Sequence, residues 1–101
     1  MTLEPTLREK ILTKLVEVID PETGVDVLRM RLVEELVVDE EHGQVSYRFR
    51  PSSPLCPLAV SLVRDIKQTI GSIAGVRAQN IEVTGYIHAE ELTELINQND
   101  V

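Results

Sequence analysis

The sequence predicts an α+β domain in the order α-β-β-α-β-α, a three-stranded sheet with helices over one face. Three stretches carry apolar residues at helical spacing, and between them the period changes to two. The length of 101 residues allows one domain, 1–101, with a single small core. Aromatic residues are only 3% of the chain, so that core must rest on Leu, Ile and Val.

The first helix is expected over Thr6 to Ile19. Leu7, Ile11, Leu12, Leu15, Val16 and Ile19 form its stripe, Thr6 and Glu9 have capping-box spacing, and Asp20-Pro21 ends it. Residues 20–31 read as a connector, with Gly24 suited to a turn. In the following strand Leu32, Leu36 and Val38 share a face. The next strand is cleaner, because Val45, Tyr47 and Phe49 alternate with polar residues. Asp39 to Gly43 joins the two strands as a hairpin loop, with Gly43 a left-handed residue. After a Pro- and Ser-rich break, Leu58, Leu62, Val63, Ile66 and Ile70 mark a second helix that ends between Gly71 and Gly75. Ile81 to Thr84 gives the third strand. A last helix covers roughly Ala89 to Asn97, with Glu90 and Glu91 at its positive end.

Charge excludes some partners. Ten basic residues against 17 acidic ones give a net charge of −7, which disfavours nucleic acid and anionic membrane surfaces. No apolar run reaches the ~20 residues of a membrane span. The N-terminus lacks the pattern of a signal peptide, so a cytoplasmic protein is expected. Cys56 is the single cysteine, so one chain can form neither an internal disulfide nor a four-thiolate metal site.

The segment Ser52-Ser53-Pro54-Leu55-Cys56-Pro57 is the strongest candidate for chemistry. Pro57 suits the first position of a helix, which would make Cys56 the N-cap. There the helix dipole and free N–H groups would favour a thiolate. The alternative is a buried, inert cysteine. If paired positions in the hairpin sum to about 83, Arg31 lies near Ser52 and Val33 opposite Arg50. Arg31, Arg48 and Arg50, with Arg29 nearby, then form a cationic patch beside the cysteine loop. The same arginines could equally be a solvated strand face paired with Glu34 and Glu35. Asp20 and Glu22 read as turn residues, or as an acidic loop able to orient a thiol. His42 falls in the hairpin loop and His88 at the start of the last helix, with no zinc-type spacing to Cys56.

Taken together, these segments resemble the PaaD/SufT-like family of iron–sulfur cluster assembly proteins, related to a domain of eukaryotic cytosolic iron–sulfur targeting factors. The likeness runs from about Leu7 to Ile87. It rests on Asp20-Pro21-Glu22, the Leu32-Val33 strand entry, Pro54-Leu55-Cys56-Pro57 and the Gly75-Val76 step. The family's loop usually reads Thr-x-Pro-x-Cys-Pro, and here Ser52 takes the Thr position. Two departures stand out: Arg31 replaces the family's usual Gly before Leu-Val, and Gly85-Tyr86-Ile87-His88 replaces a Pro-Pro-Trp segment.

The resemblance implies an FSCA-like fold similar to the C-terminal domain of NifU-type scaffolds. It implies a non-enzymatic role in maturing or delivering iron–sulfur clusters, with Cys56 the functional thiol and a transient cluster or iron ligand. Asp20, Glu22, Ser52, Ser53, Pro54 and Pro57 would form the supporting loops. One thiol cannot hold a cluster alone, so a homodimer, an assembly protein or a client must complete the ligands. Two other functions fit the residues: a metal-free interaction adaptor, and a small thiol redox protein, against which the missing resolving cysteine weighs.

Overall fold

The architecture is described from a computed structural model covering residues 6–21, 23–55 and 58–98. Its elements are α1 (Leu7–Leu15), β1 (Val33–Asp39), β2 (Gln44–Phe49), α2 (Ala59–Gly71), β3 (Ala78–Val83) and α3 (Ala89–Gln98). This is the expected α+β order, with the strands in the order β1-β2-β3. None of the helices is long and apolar enough to cross a membrane.

Helix α1 starts as its sequence indicates. The Thr6 side chain accepts a hydrogen bond from the Glu9 N–H at 3.2 Å. The Leu7 N–H, which has no partner within the helix, donates to the Glu40 carboxylate at 3.1 Å. The expected end at Asp20-Pro21 is corrected, because the helix stops at Leu15 and caps at Val16. Glu17 and Val18 donate to the carbonyls three residues back, a tightened last turn. Beyond it the β-branched residues Val16, Val18 and Ile19 disfavour further helix. The chain turns extended, with Val18 and Asp20 inward and Val16 and Ile19 about half exposed. Ile19 then forms an antiparallel bridge with Asp26, and the fully buried Val27 pins this connector to the core.

Strands β1 and β2 pair antiparallel across a four-residue loop, residues 40–43. Val33 faces Phe49 and Glu34 faces Arg48, but Val37 faces Ser46. Glu35 and Leu36 therefore share the place opposite Tyr47, and Glu35 takes a left-handed backbone with φ 51°. This bulge corrects two expectations. Val33 lies opposite Phe49 and not Arg50, and the inward parity passes from Val33 to Leu36 and Val38 across the bulge. In the hairpin loop the Asp39 carboxylate accepts from the Glu41 and His42 N–H groups and contacts His42 Nδ1 at 2.8 Å. The bond to the His42 side chain, above all, holds its pKa below the usual carboxylate value.

Strand β3 starts at Ala78, earlier than expected, and runs parallel to β2. A parallel neighbour needs a crossover, and α2 supplies it. Leu62, Val63, Ile66 and Ile70 of α2 pack on Val45, Phe49 and Ile81 of the sheet, with Ile11 and Leu15 of α1 in the same core. A polar thread crosses this layer: the Tyr47 hydroxyl donates to Gln79 at 2.9 Å, Gln79 donates to the Lys67 carbonyl, and the buried Lys67 ammonium donates to the Ile96 carbonyl. Burial pushes the Tyr47 phenol far above its ordinary pKa.

Helix α3 closes the outer edge of β3. Asn97 accepts from the Ile81 N–H at 3.0 Å and donates to the Ile81 carbonyl at 2.7 Å. One helical turn earlier, Thr93 accepts from the Val83 N–H at 2.9 Å. Two side chains four residues apart thus stand in for a fourth strand, which keeps the edge from pairing elsewhere. Asn97→Ala should cost about 1–3 kcal/mol by leaving the Ile81 groups unpaired. Urea unfolding checks this, with faster hydrogen exchange expected at the Ile81 amide; an unchanged midpoint would contradict it.

Candidate functional site

One end of the sheet gathers the residues singled out by the sequence. The Arg50 N–H donates to the Leu32 carbonyl at 2.8 Å, which carries the strand pairing one step past β1. At this open end lies a cavity of about 650 Å³ lined by Arg31, Glu34, Arg50, Ser52, Pro54 and Gly85, with Met30, Leu32 and Pro51 behind them. The hairpin geometry therefore does bring Arg31, Arg50 and the start of the cysteine loop together.

Arg48 is not part of that group. It lies on the outer sheet face, between Glu82 at 2.8 Å and Glu35 at 3.2 Å. The hydrogen bond it donates to Glu82, then the charge of Glu35, raise its pKa. The expected cationic patch is thus corrected from three arginines to Arg31 and Arg50, neither of which forms an ion pair among the described residues.

Backbone conformation fixes these two arginines. Arg31 sits at φ 58°, a left-handed conformation that glycine adopts without strain and that a larger residue occupies at a cost. This gives a physical reason why a glycine would be usual there. Arg50 rests on Gly85, which has φ 63°. A Cβ on Gly85 would lie 2.8 Å from Arg50 Cγ, so the glycine leaves room for the arginine stem.

The acidic loop borders this end. Asp20 is 1% exposed, unusual for a carboxylate. Its carbonyl accepts from Gly24 at 2.8 Å and from Thr23 at 3.3 Å, and its N–H donates to Val25. Gly24 takes φ 70°, the turn conformation expected of it. The Thr23 hydroxyl reaches Met30 Sδ at 3.0 Å, which links the loop to the cavity wall. Asp20 is expected from the sequence as a turn or acidic-loop residue of the 20–31 connector, but its burial is not. The only signal was the alternation from Val18 to Asp20.

Glu22, Cys56 and Pro57 lie outside the described residues. The flanks of the cysteine loop are described. The Pro54 carbonyl accepts from the Ile87 N–H at 2.8 Å, tying the loop to the β3–α3 connection, and Ser53 accepts from Leu55 N–H at 3.3 Å. Leu55 and Ile87, on the two segments joined by the Pro54–Ile87 bond, are 69% and 61% exposed. Helix α2 begins at Ala59 with Leu58 at its cap and no side-chain capping bond. The expectation that Cys56 is the N-cap is therefore corrected by two residues. Among the described residues no three His, Cys, Asp or Glu side chains converge as a metal-binding group. His88 pairs with Glu91 at 3.4 Å at the start of α3.

Comparison with known proteins places this arrangement. The chain is 31% identical over 81 residues to the Fe-S protein maturation auxiliary factor YitW of Bacillus subtilis, covering 80% of this chain and 78% of that one. A conserved hypothetical protein of Thermotoga maritima has the same fold with a TM-score of 0.67 and 31% identity, over 95% of this chain and 98% of that one. A domain of unknown function from Bacillus anthracis matches with a TM-score of 0.69 and 29% identity, over 77% and 74%. Residues 8–83, from α1 through β3 and including the cysteine loop, match the family model described as iron–sulfur cluster assembly protein. The chain belongs to the iron–sulfur cluster assembly protein family.

Proposed function

We propose that this protein is an accessory factor of iron–sulfur cluster assembly that helps deliver clusters to client proteins through the Cys56 loop and catalyses no turnover of its own. The observation that carries the reading is the family match over 8–83, a span that includes Ser52 to Pro57. The placement of that loop supports it. The Pro54–Ile87 bond fixes its approach, Leu55 and Ile87 offer an apolar contact, and Arg31 and Arg50 stand at its base. A cluster takes four protein ligands, and one chain brings a single thiol. The cluster is then a cargo in transit, its remaining ligands coming from a second copy of the chain or from the client. We place it in the PaaD/SufT-like group, acting in the cytoplasm as a homodimer.

The role is tested in cells depleted of the protein. Wild type is expected to restore the activity of an iron–sulfur client enzyme, and Cys56→Ala to restore little, at equal protein abundance. Full restoration by Cys56→Ala would overturn delivery through the thiol and leave the adaptor function, for which the exposed Leu55–Ile87 pair would be the contact.

A further inference from the structure

The cavity at the open end of the sheet is lined by Arg31, Arg50 and Ser52. Arg48 is held between two carboxylates, Glu35 and Glu82. Arg31 and Arg50 line one cavity, and among the described residues neither forms an ion pair. Glu34, the one carboxylate among the described lining residues, reaches neither within ion-pair distance. The Ser52 hydroxyl, also in the lining, has no hydrogen-bond partner among the described residues. At about 650 Å³ the cavity is of a size that holds a small molecule.

Two backbone features keep the arginines there. Arg31 occupies a left-handed conformation at φ 58° that costs stability for any side chain. Arg50 lies against Gly85 at φ 63°, in space that a Cβ would take. Guanidinium groups bind planar carboxylates and phosphates through paired N–H donors, and a hydroxyl supplies a further donor. We infer that this cavity is a binding site for a small oxyanion, carboxylate or phosphate, gripped by Arg31 and Arg50 with Ser52 as an additional donor.

The test titrates the full-length chain with inorganic phosphate and, separately, with citrate in low-chloride buffer, followed by amide NMR. Saturable shifts are expected at Arg31, Arg50, Ser52 and Gly85. Arg50→Gln and Arg31→Gly should each weaken binding about ten-fold. Arg31→Gly removes the backbone strain along with the charge, so its lost affinity cannot be ascribed to misfolding. Arg48→Gln, whose side chain is held by Glu35 and Glu82 outside the cavity lining, should bind as wild type does. Tighter binding of citrate assigns the site to carboxylates and tighter binding of phosphate to phosphates. No saturable binding of either probe would overturn the inference. So would binding that survives both Arg31→Gly and Arg50→Gln, or that falls equally in Arg48→Gln.

Discussion

Phe49→Ala is expected to remove about 3–5 kcal/mol of stability, the range for truncating a fully buried aromatic ring. Phe49 is the one phenylalanine of the chain and is completely buried on the central strand, paired with Val33 on one side and Val83 on the other. With Trp absent and both tyrosines ending in a polar hydroxyl, no other side chain brings so large a wholly apolar volume to this core. Domains of this size have about 5–15 kcal/mol in total, so the variant should be marginal at 37 °C. Urea unfolding with an unchanged slope measures the loss. A loss below about 1 kcal/mol would mean that the neighbouring aliphatic side chains collapse into the gap, contrary to the close packing described.

Gly43→Ala is expected to cost about 2–4 kcal/mol, combining the left-handed backbone penalty with a steric clash. Gly43 ends the hairpin loop at φ 70°, and a Cβ there would stand 2.3 Å from the Gly75 carbonyl oxygen. The neighbour is backbone, which cannot swing aside. Its own carbonyl also accepts from the Arg77 and Ala78 N–H groups at 2.7 and 3.2 Å, the bonds that start β3 beside β2. Gly24 provides the internal comparison, with the same φ of 70° and open space around it. Gly24→Ala should therefore show only the conformational part, about 1 kcal/mol. Equal losses for the two variants would show that the clash is relieved.

The contrast between these glycines also shows how far the sequence could be read. Alternation over Val45, Tyr47 and Phe49 and the helical stripe of α2 reflect burial directly, so both elements appear where the pattern places them. The end of α1 did not follow, because Val16 and Ile19 continue the helical spacing while their β-branched shapes favour extended chain. The bulge at Glu35 has a trace in the doubled Glu34-Glu35, but one phase slip looks like a polar face until the partner strand is known. Parallel pairing of β3 depends on where α2 sends the chain, which no local pattern records. At the site, proximity of Arg31, Arg50 and Ser52 followed from the hairpin register. The capture of Arg48 by Glu35 and Glu82 did not, since Glu82 arrives from a strand more than thirty residues away. Burial of Asp20 and Lys67 was illegible for the same reason: what surrounds a polar side chain comes from distant segments.

The central claim is that the lone thiol serves a cluster shared between proteins. Anaerobic reconstitution with iron and sulfide, followed by metal and sulfide analysis and size determination, tests it most directly. The account predicts a visible charge-transfer chromophore on wild-type protein in a species larger than the monomer, and its loss in Cys56→Ala with the fold intact. A chromophore with equal iron and sulfide content on Cys56→Ala, or a cluster held by the wild-type monomer without added thiol, would contradict it.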